Sequence, residues 1–240
     1  MTVSSVSSGE RAADFDRVAG EYRDIVEHSI RFSGKSLDFF TRVKVEHLLE
    51  LGEQLVGRLR QKSVLDVGCG NGTTDSYVYP WVGELEGVDV SSEMVAEARR
   101  RNPDCRYNAY DGSTLPFPDR HFALSFAICV MHHVPPRNWD SFVAELLRVT
   151  RTDGAVMVFE HNPLNPLTRR AVRNCAFDDD AVLLGPKRVI GAFGRWGAEV
   201  LARRYILFTT LDGVAARDAE RFVSWLPLGA QYVIAARPTR

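Results

Sequence analysis

The chain has no long apolar run, no paired cysteine motif and no surplus of charge of either sign, and each absence narrows what it can be. No stretch of its 240 residues approaches the ~20 apolar residues that a membrane-crossing helix requires. Met1 to Gly9 is serine-rich and lacks the apolar segment of a secretory leader, so the expectation is a cytoplasmic protein with no membrane partner. Cys69, Cys105, Cys129 and Cys175 are far apart with no C-x-x-C pair. That spacing argues against a zinc knuckle and a disulfide framework and predicts reduced, buried thiols. Lysine and arginine number 30 against 31 aspartate and glutamate, a formal net charge of −1, which leaves no overall basic field to draw a polyanion. Arg99-Arg100-Arg101, Arg169-Arg170 and Arg203-Arg204 are local clusters that read as solvated helix faces. With 45% apolar residues, the chain can bury one large core. One domain is expected over residues 10–240, behind a flexible segment at 1–9.

What is present is concentrated in Val64-Leu65-Asp66-Val67-Gly68-Cys69-Gly70-Asn71-Gly72 and the later Leu85-Glu86-Gly87-Val88-Asp89-Val90. Val64 to Val67 suits a buried parallel strand, and the three alternate glycines let the backbone turn sharply beside a ligand. Thr73-Thr74-Asp75 can cap a helix to about Trp81, and Leu85 to Val90 reads as the next strand. Asp89 then sits at a strand's carboxyl end, where an acid in a nucleotide-binding sheet accepts hydrogen bonds from ribose hydroxyls. The dinucleotide fingerprint G-x-G-x-x-G would need glycine at position 73, which is threonine. A nicotinamide-dependent oxidoreductase is therefore the weaker reading.

At these residues the chain resembles the class I S-adenosylmethionine (SAM) dependent methyltransferases, in the UbiE-like small-molecule group. Their first motif, acid-x-Gly-x-Gly-x-Gly, is matched by Asp66, Gly68, Gly70 and Gly72. The likeness extends over residues 62–161. Ser91-Ser92 opens a helix to Arg101 with Met94, Val95 and Ala98 inward, and Cys105 to Tyr110 is a third strand ending in Asp111-Gly112. Leu115-Pro116-Phe117-Pro118-Asp119-Arg120-His121-Phe122 is similar to the family link before the apolar strand Phe122 to Met131. Phe142 to Val149 reads as a helix, Asp153-Gly154 as a turn and Ala155 to Phe159 as a fifth strand. The resemblance implies an α/β, Rossmann-like three-layer sandwich, with a seven-stranded, mostly parallel sheet of order 3-2-1-4-5-7-6 and the last strand antiparallel. It also implies SAM as cofactor, with S-adenosylhomocysteine as product. Asp66, Gly68, Cys69, Gly70, Gly72, Asp89, Val90, Met94, Asp111, Gly112 and Ala127 would line the site, with Asp111 on the adenine amino group.

Outside this core, the regions 10–60 and 162–240 should build the acceptor side. Glu10 to Ile30 and Leu37 to Arg60 read as helices joined near Ser33-Gly34. Phe15-Asp16-x-x-Ala19-x-x-Tyr22 looks like an opening common in small-molecule methyltransferases, where the tyrosine covers the cofactor. The proline-broken loop His161 to Pro166 should line the acceptor pocket. A helix from Lys187 to Trp196 and strands Val200 to Phe208 and Gln231 to Ala236 follow, with Trp225 to Tyr232 read as a hairpin feeding the last strand. Neither the Asp/Asn-Pro-Pro-Tyr/Phe motif of base amino-methylation nor a Pro-Cys nucleophile is present, so a small-molecule acceptor is expected, and no nucleic acid.

The general-base candidates are His133, His132 and His161, with His133 preferred because strand alternation would turn only one of the adjacent pair inward. His161 pairs naturally with Glu160. The acidic run Asp178-Asp179-Asp180 reads as a solvated helix start before Ala181 to Leu184, so no metal is expected. A module that binds SAM or S-adenosylhomocysteine without catalysis shares the same motifs.

Overall fold

The structure, a computed structural model, describes residues 13, 15, 16 and 19–239. The segment 1–9 and the first residues of the helix expected from Glu10 lie outside the described residues. The strands are β1 (Ser63–Val67), β2 (Glu84–Asp89), β3 (Arg106–Ala109), β4 (Phe122–Ile128), β5 (Thr150–His161), β6 (Glu199–Ile206) and β7 (Gln231–Arg237). They form one sheet in the order β3-β2-β1-β4-β5-β7-β6. Neighbours from β3 to β5 pair parallel, and β7 runs antiparallel to both β5 and β6.

Among the described residues the α-helices are α1 (Tyr22–Ile30), α2 (Leu37–Val56), α3 (Asp75–Val78), α4 (Ser92–Arg101), α5 (Trp139–Val149), α6 (Pro166–Arg173), α7 (Pro186–Arg195) and α8 (Val214–Val223). Two apolar cores result, one on each face of the sheet. Phe39, Val43, Leu48 and Leu51 of α2 and Val95 and Ala98 of α4 pack on one side with Val64 and Met157. Phe142, Val143 and Leu146 of α5 and Val189 and Phe193 of α7 pack on the other with Leu65 and Val156. Successive residues of one strand thus enter opposite cores, which is why the central strands read as unbroken apolar runs.

Several expected boundaries move. β4 stops at Ile128, because Cys129 takes a left-handed φ of 58° and Met131–His133 form a 3-10 turn. β5 begins at Thr150, and Asp153-Gly154 lies inside it at a register shift opposite Phe122 to Leu124, where a side chain at 154 would meet the Ala123 carbonyl at 2.6 Å. Gly57, at φ 78°, ends α2 before Arg60. Residues 224–230 form turns and bends with no strand, so the expected hairpin from Trp225 to Tyr232 does not form ahead of β7. Asp178 closes the 3-10 turn Ala176–Asp178, and no helix follows it until Pro186.

Candidate functional site

The three glycines after β1 all hold positive φ, 81° at Gly68, 52° at Gly70 and 71° at Gly72, but for different reasons. A Cβ on Gly68 would meet Val130 at 2.4 Å, and one on Gly72 would meet Asn102 Nδ2 at 2.6 Å and Ala98 at 3.1 Å. Those two let the turn press against the loop after β4 and against α4. A Cβ on Gly70 meets nothing within 4 Å, and this residue lines the cavity, so its backbone is left bare to a ligand. The Gly68 and Cys69 N–H groups donate to Val88 O at 2.7 and 3.0 Å, which pins the turn to β2.

Asp89, at the end of β2, faces the same point. Its Oδ2 accepts from Gly70 N at 2.8 Å and its Oδ1 from Ser91 N at 3.0 Å. Burial pushes its carboxyl above the usual range, against the pull of those backbone donors. Each oxygen keeps a lone pair for a further donor. Beneath the turn, Asp66 and Asp75 are both buried. Burial and mutual proximity hold Asp66 well above the usual carboxylate range.

Phe15 and Asp16 pack over this end. Ser91 caps α4, its Oγ accepting from Met94 N at 3.1 Å, and donates in turn to Asp16, whose Oδ1 also accepts from Glu93 N at 3.2 Å. Phe15 stands edge-on to His133 at 5.4 Å and packs on Phe177 at 4.8 Å; Tyr22 meets Phe177 at 4.9 Å.

Cys69, Val90, Met94, Gly112 and Tyr22 line the cavity together with Asp66, Gly68, Gly70 and Asp89. Three expected positions stand elsewhere. Gly72 serves the packing just described. Ala127 is buried in the α5-side core. Asp111 is exposed, and its carboxylate accepts from Ser113 N, Ser113 Oγ and Thr114 N at 2.7–2.9 Å, bonds that lower it to about 2. The neighbouring Tyr110 lines the wall instead.

At the opposite end, the 3-10 turn after Cys129 brings both adjacent histidines into one cluster, where strand alternation would have separated them. His132 Nδ1 lies 2.6 Å from Glu160 Oε2, and Glu160 Oε1 accepts from Met131 N at 2.7 Å. Glu160 thus partners His132, not its neighbour His161. His132 Nε2 and His133 Nε2 are 3.5 and 3.4 Å from Asp178 Oδ1, and His133 Nδ1 is 3.8 Å from Asp180. Although burial opposes its charge, Glu160 and Asp178 hold His132 well above the usual histidine range. Burial, then the charge on His132, pushes His133 down and lowers His161 to about 4.

The expected solvated start at Asp178 is corrected: its side chain is 13% exposed, because the turn Ala176–Asp178 folds it onto the histidines. His132 sharpens the effect, lowering the Asp178 carboxyl to about 2 against the cost of burial. The sequence reading also missed Phe177, Gln231 and Lys44. The Gln231 amide lies 3.3 Å from His161 Nδ1, and Lys44 of α2, nine-tenths buried, lines the same wall.

Both ends open into one cavity of about 630 Å³. Its apolar wall includes Val26 and Ile30 of α1, Phe40 of α2 and Leu167, Ala171 and Val172 of α6. That volume falls in the range of small-molecule sites. A sheet of this order, with a bare glycine turn and an acid at the carboxyl ends of β1 and β2, is a Rossmann-like arrangement whose ligand crevice lies outside those strand ends. Residues 64–154 match the methyltransferase domain model, and over that stretch the chain is similar to SAM-dependent methyltransferases.

A demethylmenaquinone methyltransferase of Renibacterium salmoninarum is 31% identical over 161 residues, covering 65% of this chain and 62% of the relative. The chain spans less than two thirds of the length of the curated relatives it first matches. Among solved structures, a SAM-dependent methyltransferase of Thermotoga maritima superposes with a TM-score of 0.68 at 18% identity, over 93% of this chain and 98% of that one. The [4+2]-cyclase SpnF superposes at 0.66 with 18% identity, over 97% of each. These two show the fold alone.

Proposed function

We propose that the protein transfers the methyl group of SAM to an oxygen or nitrogen of a small, largely apolar acceptor. The observation that carries this reading is the single cavity joining the Gly70–Asp89 corner to the histidine cluster. The corner fits the cofactor: Gly70 leaves a cradle that a Cβ would fill, and Asp89 offers a buried carboxylate for ribose hydroxyls. When bound, SAM supplies a methyl group on a sulfonium, open to in-line displacement.

What the chain contributes is position. Holding two reactants in line can lower a barrier by up to ~7–11 kcal/mol, and the aromatic cover of Phe15, Tyr22 and Phe177 serves to keep water out. Where the acceptor must lose a proton, we assign the task to His161 rather than His133. Both His133 nitrogens face carboxylates, whereas among the described residues the His161 ring has the Gln231 amide, at Nδ1, as its one hydrogen-bonding neighbour. Turning that amide over, so that its otherwise unpartnered oxygen replaces the nitrogen placed 3.3 Å from Nδ1, puts the ring proton on Nδ1 and leaves Nε2 to accept. An imidazole lowered to about 4 is neutral near pH 7 and free to accept a proton, but as a weak base it can assist only a hydroxyl that is already acidic, such as an enol or phenol.

The curated relatives named as demethylmenaquinone methyltransferases support a small-molecule acceptor. Incubation with methyl-labelled SAM and a panel of phenols, enols and amines, read by mass spectrometry, should give labelled product that requires the protein. Retained S-adenosylhomocysteine binding with no label transferred to any acceptor would move the assignment to a non-catalytic SAM-binding module. Binding of NAD instead would move it to an oxidoreductase.

A further inference from the structure

The 3-10 turns Met131–His133 and Ala176–Asp178 bring two imidazoles and a carboxylate to a common point. Asp178 Oδ1 stands 3.5 Å from His132 Nε2 and 3.4 Å from His133 Nε2, and the donor atoms all lie within 4.8 Å of one another. Good N–H···O hydrogen bonds run about 2.7–3.2 Å, so these contacts are long for that purpose. They match the edge of a tetrahedron whose centre is about 2.0–2.2 Å from nitrogen and oxygen ligands, an edge of roughly 3.3–3.6 Å.

The support behind these atoms points the same way. Glu160, fully buried, holds His132 Nδ1 at 2.6 Å, and its second oxygen is fixed by the Met131 backbone at 2.7 Å. That leaves Nε2 as the nitrogen turned to the common point. A ligating imidazole typically gives its other N–H to a carboxylate, which sets the tautomer and the ring direction. Phe15 and Phe177 pack on the ring of His133, so its orientation is set as well. Two carboxylates, those of Glu160 and Asp178, are buried against this cluster, with Asp180 at its rim.

We propose that His132 Nε2, His133 Nε2 and Asp178 Oδ1 form a divalent-cation site whose fourth position opens into the cavity. A donor set of two imidazoles and one carboxylate suits Zn²⁺ or a neighbouring first-row ion better than Mg²⁺ or Ca²⁺, which prefer all-oxygen shells. His132, His133, His161 and Asp178 all line the cavity, so the open position faces the acceptor end. Its ligand class is an acceptor carrying a hydroxyl or carbonyl oxygen, an assignment that rests on the methyl-transfer reading; cation binding itself does not.

The test is titration of the untagged, chelator-stripped full chain with Co²⁺ and Zn²⁺ at neutral pH. One equivalent of Co²⁺ should bind with the strong visible absorption of a four-coordinate ion, and Zn²⁺ should displace it. Asp178→Asn and His133→Gln should weaken binding by at least tenfold, and Glu160→Gln by about 10- to 100-fold. Absence of stoichiometric binding by the wild type overturns the proposal. So does equal affinity in folded Asp178→Asn and His133→Gln proteins. If the variants do not fold, the wild-type stoichiometry and Co²⁺ spectrum decide. S-adenosylhomocysteine titrated into the same samples keeps the two readings apart. Its binding without cation uptake removes the metal site alone, and cation uptake without it removes the donor reading alone.

Discussion

Single residues carry the sharpest consequences. Asp89 is placed to accept from a ribose, and charge-assisted hydrogen bonds of that kind contribute roughly 1.5–3 kcal/mol. Asp89→Ala should therefore raise the dissociation constant for S-adenosylhomocysteine about 10- to 100-fold by calorimetry. An unchanged constant would take Asp89 out of the site. His47 of α2 makes a separate prediction about stability. It is buried, neither ring nitrogen has a hydrogen-bond partner among the described residues, and burial lowers it from 6.5 to about 4. The unfolded chain thus binds the proton more tightly than the folded one. Stability should be full above pH 6.5 and fall on the order of 3 kcal/mol as pH drops toward 4. Urea denaturation at pH 7 and pH 5 should show a smaller acid loss in His47→Leu than in the wild type; equal losses would exclude His47 as the cause.

At the scale of the element, the turn between β1 and α3 separates two uses of glycine. Gly70→Ala should cost about 1–2 kcal/mol of stability from its left-handed backbone and also weaken S-adenosylhomocysteine binding, because the new methyl points into the cavity. Gly72→Ala carries the same strain and adds overpacking against Asn102 and Ala98, worth about 1–3 kcal/mol more. Its damage should appear in urea midpoints rather than in affinity measured on the folded fraction. If Gly72→Ala proves the less destabilising of the two, close packing of α4 on the turn is wrong. The elements also show what could be read in advance. Apolar runs located the central strands, and Ser91 announced the start of α4 because a serine cap acts on its own next turn. Asp111 was misread by the same local chemistry, since its carboxylate bonds Ser113 and Thr114 two and three residues on. The histidine cluster was only half legible. His132 and His133 are neighbours in sequence, but Glu160 and Asp178 reach them through sheet pairing and a distant turn, and no local period records either contact. The left-handed Cys129, which ends β4 and sets both rings on one side, carries no residue-type signal of its own.

For the whole molecule, the consequence of the strand order is one cavity with two chemically different ends. The carboxyl ends of β1 and β2 make the bare, acid-bearing corner, and those of β4 and β5 carry the histidines, while α1, α2 and α6 roof the space between with apolar side chains. Among the described residues no helix is long and apolar enough to cross a membrane, and both faces of the sheet are covered. Replacing Leu167 or Val26 in the roof by a larger side chain such as Trp should depress turnover of acceptor while leaving S-adenosylhomocysteine affinity within about threefold, as read by comparing calorimetry with label transfer. An equal loss of both would mean that the roof serves the donor as well. The most direct measurement is a crystal structure of the full chain grown with S-adenosylhomocysteine. It should show the ribose hydroxyls on the Asp89 carboxylate, the sulfur turned toward His161 and the backbone of Gly70 against the ligand. A crevice left empty at saturating ligand, or a ligand seated away from Asp89, would contradict the account.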